Sequence, residues 1–122
     1  MKMTINVFLA LVIASMAFTA EAQTVKPNRV IPVAEYYPGG QDSLYAFINK
    51  KIIYPITAKR NRMQGECVIS FNLTSDGRVE NVSIVKNVGG GTGEEAARIV
   101  KLLKFKGPGF AKNFSLPIIY KL

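Results

Sequence analysis

Residues 54–79 read YPITAKRNRMQGECVISFNLTSDGRV, and this stretch decides the fold. Pro55 is compatible with the first turn of a helix, because a proline is tolerated where the helix leaves its N–H groups unpaired. From Glu66 to Leu73 polar and apolar residues alternate with a period of two, which predicts a strand with one buried face. Ser75-Asp76-Gly77 then predicts a tight turn, since Gly77 can adopt a positive φ. The stretch therefore predicts a short surface helix followed by a hairpin.

The residues after this stretch complete the sheet. Residues 79–85 form the predicted return strand, and their apolar pattern slips between Val79 and Val82, which indicates a bulge. A glycine-rich run leads into a helix whose predicted start is a capping box formed by Thr92 and Glu95. Apolar and polar residues alternate again from Phe114 to the C-terminus. Because Pro117 cannot donate a ladder hydrogen bond, this last strand is predicted at a sheet edge.

A second main helix is predicted before the opening stretch. Leu44, Phe47, Ile48 and Ile52 recur at the spacing of one helical face. Both main helices then carry a single apolar stripe, and the strands alternate. The economical arrangement is an α+β fold, in which a small antiparallel sheet of about three strands packs its two main helices on one face.

The first residues resemble an export signal rather than part of the fold. Lys2 is followed by an apolar run from Ile5 to Phe18 and then by Ala20-Glu21-Ala22. This is the pattern of a secretory signal peptide over residues 1–22, with cleavage between Ala22 and Gln23. We therefore expect a periplasmic location, a flexible leader over residues 23–34 and a folded domain over residues 35–122. An uncleaved membrane anchor is the alternative.

The composition leaves little for catalysis. The chain has no histidine, and Cys67, its only cysteine, falls on the predicted buried face of a strand. No acidic pair is placed for acid–base chemistry, so we expect neither an enzyme nor a metal or other cofactor. The net charge of +8 is explained most simply by solubility. The alternative is an anionic partner in the envelope, namely lipid, polymer or acidic protein, since an exported protein rarely meets nucleic acid. A protein-binding module is the remaining interpretation.

A set of short motifs gives this interpretation a family. In order, they are Tyr37-Pro38-Gly39-Gly40, Tyr54-Pro55 with Ala58, Gln64-Gly65, Phe71, Asp76-Gly77 with Val79, Glu95-Ala96 with Val100, and Leu116-Pro117-Ile118. Their order and spacing resemble the C-terminal domain of the TonB family of energy transducers. The resemblance extends from about Glu35 to Leu122 and implies an α+β domain in the periplasm of Gram-negative bacteria.

The resemblance also implies a partner and a binding strand. Domains of this family bind an extended segment of outer-membrane receptors, which pairs with the last strand of the domain. The implied strand residues are Asn113, Phe114, Ser115, Leu116, Pro117, Ile118, Ile119 and Tyr120. The implied neighbouring surface consists of Tyr54, Pro55 and Lys59. An open edge of this kind would also allow two copies of the chain to pair.

Three functions stay open at this point. The first is a stand-alone exported domain that binds a receptor peptide or another envelope protein and meets the membrane only indirectly. The second is a membrane-anchored transducer, although the link from Gln23 to Glu35 reaches only roughly 45 Å when extended. The third is an envelope adaptor that binds anionic polymer or lipid through its basic face.

Overall fold

The computed structural model describes residues 23–122, so the predicted signal peptide over residues 1–22 lies outside the described residues. Eight elements follow one another over these described residues. They are β1 (Gln23–Val25), a 3-10 helix (Pro32–Tyr36), α1 (Gly40–Lys51), α2 (Ile56–Arg60), β2 (Gly65–Leu73), β3 (Val79–Lys86), α3 (Thr92–Leu102) and β4 (Lys112–Lys121). The predicted α+β class is confirmed, as are the two main helices, the short helix and the hairpin.

The strands form one antiparallel sheet in the order β1-β4-β2-β3. The longest ladder joins β2 to β4 and runs from Gly65 opposite Tyr120 to Leu73 opposite Lys112. The sequence predicted about three strands, and the structure adds β1 as a fourth. Its three residues are too few to show a hydrophobic period, so no pattern in the sequence marked them as a strand.

One apolar core lies between the helices and one face of the sheet. Alternate residues of β2 and β4 point into it, as the period of two predicted. The fully buried sheet residues are Cys67, Ile69, Phe71, Leu73, Leu116 and Ile118. Helix residues of α1 and α3 cover them, with Leu44, Ile48, Ala96, Ile99 and Val100 all buried completely. Cys67 is free and buried, as predicted.

The predicted boundary between leader and domain is corrected by the structure. Ile31, Val33 and Ala34 are buried in the core, and β1 is paired in the sheet. Pro32 starts a 3-10 helix, because its fixed φ suits the first position of a helical turn. Residues between Gln23 and Ala34 therefore take part in the packed domain.

The hairpin turn is joined to the rest of the domain through Gly77. This residue has a φ of 94°, a left-handed conformation that favours glycine. Its carbonyl accepts a hydrogen bond from the N–H of Phe105 at 3.3 Å. A Cβ atom at this position would lie 2.2 Å from the carbonyl oxygen of Phe105. The turn and the segment after α3 are thus in direct backbone contact.

The predicted bulge in β3 is present, and a second one accompanies it. Between the pairs Ser70–Ser83 and Asn72–Glu80, β3 has one residue more than β2. Asn81, inside this irregularity, has a φ of 52°. Another shift separates Val68–Lys86 from Ile69–Ile84. Because β3 pairs only with β2 in the described sheet, both bulges lie on an edge strand.

The capping box predicted at the start of α3 is wrong. The preceding glycines have positive φ values, and Gly91 is the N-cap residue. The side-chain oxygen of Asn87 accepts hydrogen bonds from the N–H groups of Gly89 at 2.9 Å and Gly93 at 3.1 Å. Thr92 turns inward and donates to the carbonyl of Gly89 at 2.7 Å. Asn87 therefore provides the side-chain acceptor for an N–H group at the start of α3, the role that the sequence predicted for Thr92.

Candidate functional site

β4 is an edge strand over only part of its length. One side pairs with β2 from Lys112 to Tyr120. On the other side β1 pairs with residues 119–121, where Val25 lies opposite Ile119 and Gln23 opposite Lys121. The prediction of an open edge is wrong for these last residues, because the segment expected to be a leader occupies it. Within residues 23–122 no strand pairs with the outer side of β4 from Lys112 to Ile118.

Pro117 and Tyr45 show which backbone groups of β4 point to this outer side. The Tyr45 hydroxyl, in α1, donates a buried hydrogen bond of 2.7 Å to the carbonyl oxygen of Pro117. In an antiparallel ladder the N–H and C=O of one residue point to the same side, and neighbouring residues alternate. Asn113 and Ser115 share the phase of Pro117, so their backbone groups point outward. Both residues are exposed, which leaves donors and acceptors available at this edge.

The side chains of the candidate strand divide between the core and the surface. Leu116, Ile118 and Tyr120 are at most 1% exposed and point into the core. Phe114 is half-buried, with its ring centroid 5.9 Å from that of Tyr36. Pro117 is buried, Ile119 is half-buried, and Asn113 and Ser115 are exposed. A partner at this edge would therefore contact mainly the backbone of β4 and only a few of its side chains.

The predicted neighbouring surface is only partly a surface. Tyr54 is 7% exposed, and its ring centroid lies 5.2 Å from that of Tyr120. Its hydroxyl donates to the carbonyl of Met63, so Tyr54 supports the end of β4 from inside the domain. This corrects its assignment as a contact residue. Pro55 is half-buried, and Lys59 is exposed on α2.

Sequence reasoning missed Tyr45 as part of this site. The predicted stripe of α1 runs through Leu44 and Ile48, and Tyr45 widens it toward β4. Burial is the main reason that the pKa of the Tyr45 hydroxyl lies above its usual range, with Arg29 lowering it and Glu66 raising it. The hydroxyl therefore stays protonated and acts as a donor. In the sequence, the one indication of this contact is that Tyr45 adjoins the apolar stripe of α1.

Glu95 holds the link between α1 and α2 beside Tyr54. Its carboxylate accepts hydrogen bonds from the backbone N–H of Ile53 at 2.7 Å and from the guanidinium of Arg98 at 2.7 and 2.8 Å. Partial burial raises the pKa of this carboxyl, but the hydrogen bonds from Arg98 and Ile53 outweigh it and hold the pKa below the ordinary value. Folding is thus linked to the ionised form of Glu95.

We expect Glu95→Gln to lower the free energy of unfolding by about 1 kcal/mol at neutral pH, because the charged partner of Arg98 is lost. The contribution of the wild-type carboxylate is fully present above its ordinary pKa of 4.5 and is lost as the pH falls through the lower pKa of the folded state. Urea denaturation at neutral pH and at about pH 3 measures the difference. If the difference in the free energy of unfolding between the wild type and Glu95→Gln is smaller at about pH 3 than at neutral pH, the linkage is correct. An equal difference at the two pH values contradicts it.

The described residues contain neither a candidate membrane span nor a candidate metal site. Over residues 23–122, no helix combines the length and the apolar character needed to cross a membrane. The same residues contain no group of three or more histidine, cysteine, aspartate or glutamate side chains that could hold a metal ion.

Comparisons with known proteins bear on the family and the fold of this chain. The family model for the C-terminal part of the Gram-negative bacterial TonB protein matches residues 50–122. Protein TonB of Campylobacter coli is 31% identical over 78 residues, which are 62% of this chain and 34% of that protein. The chain thus spans about a third of the length of this relative.

Solved structures show the same fold. The solution structure of the Helicobacter pylori TonB C-terminal domain has a TM-score of 0.58 at 24% identity, covering 79% of this chain and 96% of that one. A shorter form of that domain has a TM-score of 0.57 at 26% identity, covering 66% of this chain and 90% of that one. The family match covers more than half of the chain, and the fold agrees with it. The chain therefore belongs to the TonB C-terminal domain family.

Proposed function

We propose that this domain binds an extended segment of an outer-membrane receptor, or of another envelope protein, by adding a strand to the outer side of β4. Family membership supports a role in TonB-dependent transport in the envelope. The observation that carries the proposal is the outward phase of Asn113 and Ser115, beside a side of β4 that has no strand partner among the described residues up to Ile118. Strand addition needs such a row of free donors and acceptors.

In this proposal the domain acts by binding alone and has no catalytic role or cofactor. Backbone hydrogen bonds supply the affinity, and the few exposed side chains at the edge adjust it. The domain is exported and released into the periplasm by cleavage between Ala22 and Gln23. A membrane-anchored transducer would keep residues 1–22, so the mass of the native chain distinguishes the two forms.

Ser115→Pro tests strand addition directly. Proline at this position removes an outward N–H without touching the ladder to β2, since Pro117 already occupies the same phase two residues later. Isothermal titration should use synthetic peptides that match the extended terminal segments of outer-membrane receptors from the same organism. We expect the proline variant to bind them at least about tenfold more weakly than the wild type, since a lost hydrogen bond and added bulk act together.

Ser115→Ala is the matched control, because it removes the hydroxyl and keeps the N–H. It should bind as the wild type does. Unchanged affinity of a folded Ser115→Pro variant would contradict strand addition at this edge. The residues whose amide resonances shift on binding should include Asn113 and Ser115.

A second candidate function rests on a basic cleft between α1 and α3. Tyr37, Phe47 and Leu102 line this open cleft of about 590 Å³, together with Lys51, Arg98 and Lys104. Arg98 is ion-paired with Glu95, so Lys51 and Lys104 supply the positive charge that suits an anionic envelope polymer or lipid. Salt separates this function from strand addition, because contacts between exposed charges weaken as the ionic strength rises and backbone pairing does not.

A further inference from the structure

β1 lies in the position that an added strand would take. It runs antiparallel to β4 on the side opposite β2. Ile119 and Lys121 share the outward phase of Pro117, and they lie opposite Val25 and Gln23. Such pairs exchange both of their backbone hydrogen bonds. β1 therefore uses the same outward side of β4 that continues toward Ser115 and Asn113, interrupted at Pro117, which has no N–H and whose carbonyl accepts from the Tyr45 hydroxyl.

The middle residue of β1 also has a specific place on the helix side of the sheet. Thr24 lies opposite Tyr120 and is 3% exposed. Its hydroxyl donates a hydrogen bond of 2.7 Å to the side-chain oxygen of Asn49, near the end of α1. A small depression of about 210 Å³ adjoins this contact and is lined in part by Tyr45 and Asp42. A small hydroxyl-bearing side chain fits this slot between α1 and β4.

Few contacts hold β1 in this position. The strand has three residues, and the residue after it, Lys26, forms an ion pair of 2.6 Å with Asp42. Both side chains of this pair are more than half exposed, and exposed pairs contribute little to stability. A strand this short makes few ladder bonds to offset the entropy lost on ordering it.

The chain that follows β1 is anchored independently. Arg29 pairs with Glu66 at 3.2 Å, on the neighbouring strand β2. The side chain of Gln41 donates to the carbonyl of Arg29 and accepts from the N–H of Ile31, both at 2.8 Å. Because these contacts begin at Arg29, β1 can leave the sheet while Ile31 and the core residues after it stay in place. The three residues between β1 and Arg29 connect the two parts, and one of them, Pro27, is buried and must lose some of its packing when β1 leaves.

We propose that β1 is a built-in occupant of the docking edge, that an incoming partner segment displaces it, and that Asn49 selects a threonine or serine in that segment opposite Tyr120. This rests on the proposed function, since it names the partner's chemistry and the regulation of the same edge. The partner is an extended segment that runs antiparallel to β4. Its affinity is reduced by the fraction of molecules in which β1 is bound.

Val25→Pro releases β1 in the full chain. The proline removes the N–H that pairs with Ile119, on a strand too short to retain its place without it. The probe is a synthetic heptapeptide with the sequence of residues 23–29, QTVKPNR. We expect it to bind the proline variant at least about tenfold more tightly than the wild type, and to shift the amide resonances of Ile119 and Lys121. A probe with alanine in place of its threonine should bind the same variant more weakly.

Val25→Thr is the matched control, because it keeps a β-branched side chain and the N–H. It should bind the heptapeptide as weakly as the wild type does. If Val25→Pro fails to fold, Asn49→Ala serves instead, since it leaves the backbone intact. This variant should exchange the amide protons of Ile119 and Lys121 faster than the wild type, with Leu116 unchanged.

Two results would overturn the inference. One is equal affinity of the heptapeptide for the wild type and for folded Val25→Pro. The other is no binding of the heptapeptide to that variant at millimolar concentration. Where Asn49→Ala is used instead, the corresponding result is unchanged amide exchange at Ile119 and Lys121. If receptor segments bind the wild type and Val25→Pro equally, and Ser115→Pro abolishes both, strand addition stands and the role of β1 fails. If the heptapeptide binds Val25→Pro but no receptor segment binds either protein, the role of β1 stands and the receptor function fails.

Discussion

Ile118→Asp is expected to abolish cooperative folding at 25 °C. Ile118 is fully buried, lies opposite Cys67 in the β2–β4 ladder and belongs to a core cluster made only of apolar and aromatic residues. A carboxylate there would lose its hydration without gaining a cation, at a cost of several kcal/mol. A domain of this size has a total stability of only about 5–10 kcal/mol. Circular dichroism during a thermal scan measures the loss.

Two variants separate the charge from other effects at this strand. Ile118→Val removes one methyl group from the same site and should cost only about 1 kcal/mol. Ser115→Asp places the same charge on the same strand at an exposed position and should unfold cooperatively near the wild-type temperature. A cooperative transition of Ile118→Asp within about 1 kcal/mol of the wild type would show that this residue does not pack in the core.

Gly77→Ala should lower the free energy of unfolding by about 3 kcal/mol or more. Two costs combine in this substitution. An L-residue in the left-handed conformation of Gly77 costs about 1–2 kcal/mol, and the new Cβ would lie 2.2 Å from the carbonyl oxygen of Phe105. That atom belongs to the backbone, so the turn and the segment after α3 must move apart. Urea denaturation gives the change in free energy.

Gly109→Ala isolates the first of these costs. Gly109 has a φ of 87°, similar to that of Gly77, and a Cβ there would have no neighbour within 4 Å. Its substitution should cost about 1–2 kcal/mol, the conformational part alone. If both variants lose the same stability, the contact between Gly77 and Phe105 relaxes freely and the turn does not depend on it.

The parts of the fold that were predictable from sequence are those with a repeated pattern. The alternation from Cys67 to Leu73 assigned β2 and its buried face, and the slip after Val79 located a bulge, because both depend only on local spacing. β1 has no such repeat. Its place in the sheet depends on contacts with β4 and Asn49, which are distant in sequence, so the local pattern of residues 23–34 predicts only a leader.

The candidate site was predictable to a similar extent. The last strand and the role of Pro117 followed from the chemistry of proline. That argument concerns one residue, however, and it does not exclude a partner strand two residues further on, at Ile119. The family resemblance implied that Tyr54 lies on the binding surface, but its ring packs on Tyr120 inside the domain. Such assignments need tertiary contacts.

Because the edge formed by β3 is irregular, the two edges of the sheet differ in their ability to accept another strand. Its left-handed Asn81 and the extra residue near Val85 break the even row of hydrogen-bonding groups that a further strand would need. Growth of a β-fibril requires two receptive flanks on every subunit, and this domain offers only the flank along β4. Two copies joined there by two-fold symmetry would present only their bulged flanks. A pair of copies joined in this way would have no regular edge left to which a third copy could add a strand, so the irregular edge of β3 disfavours continued growth of the sheet.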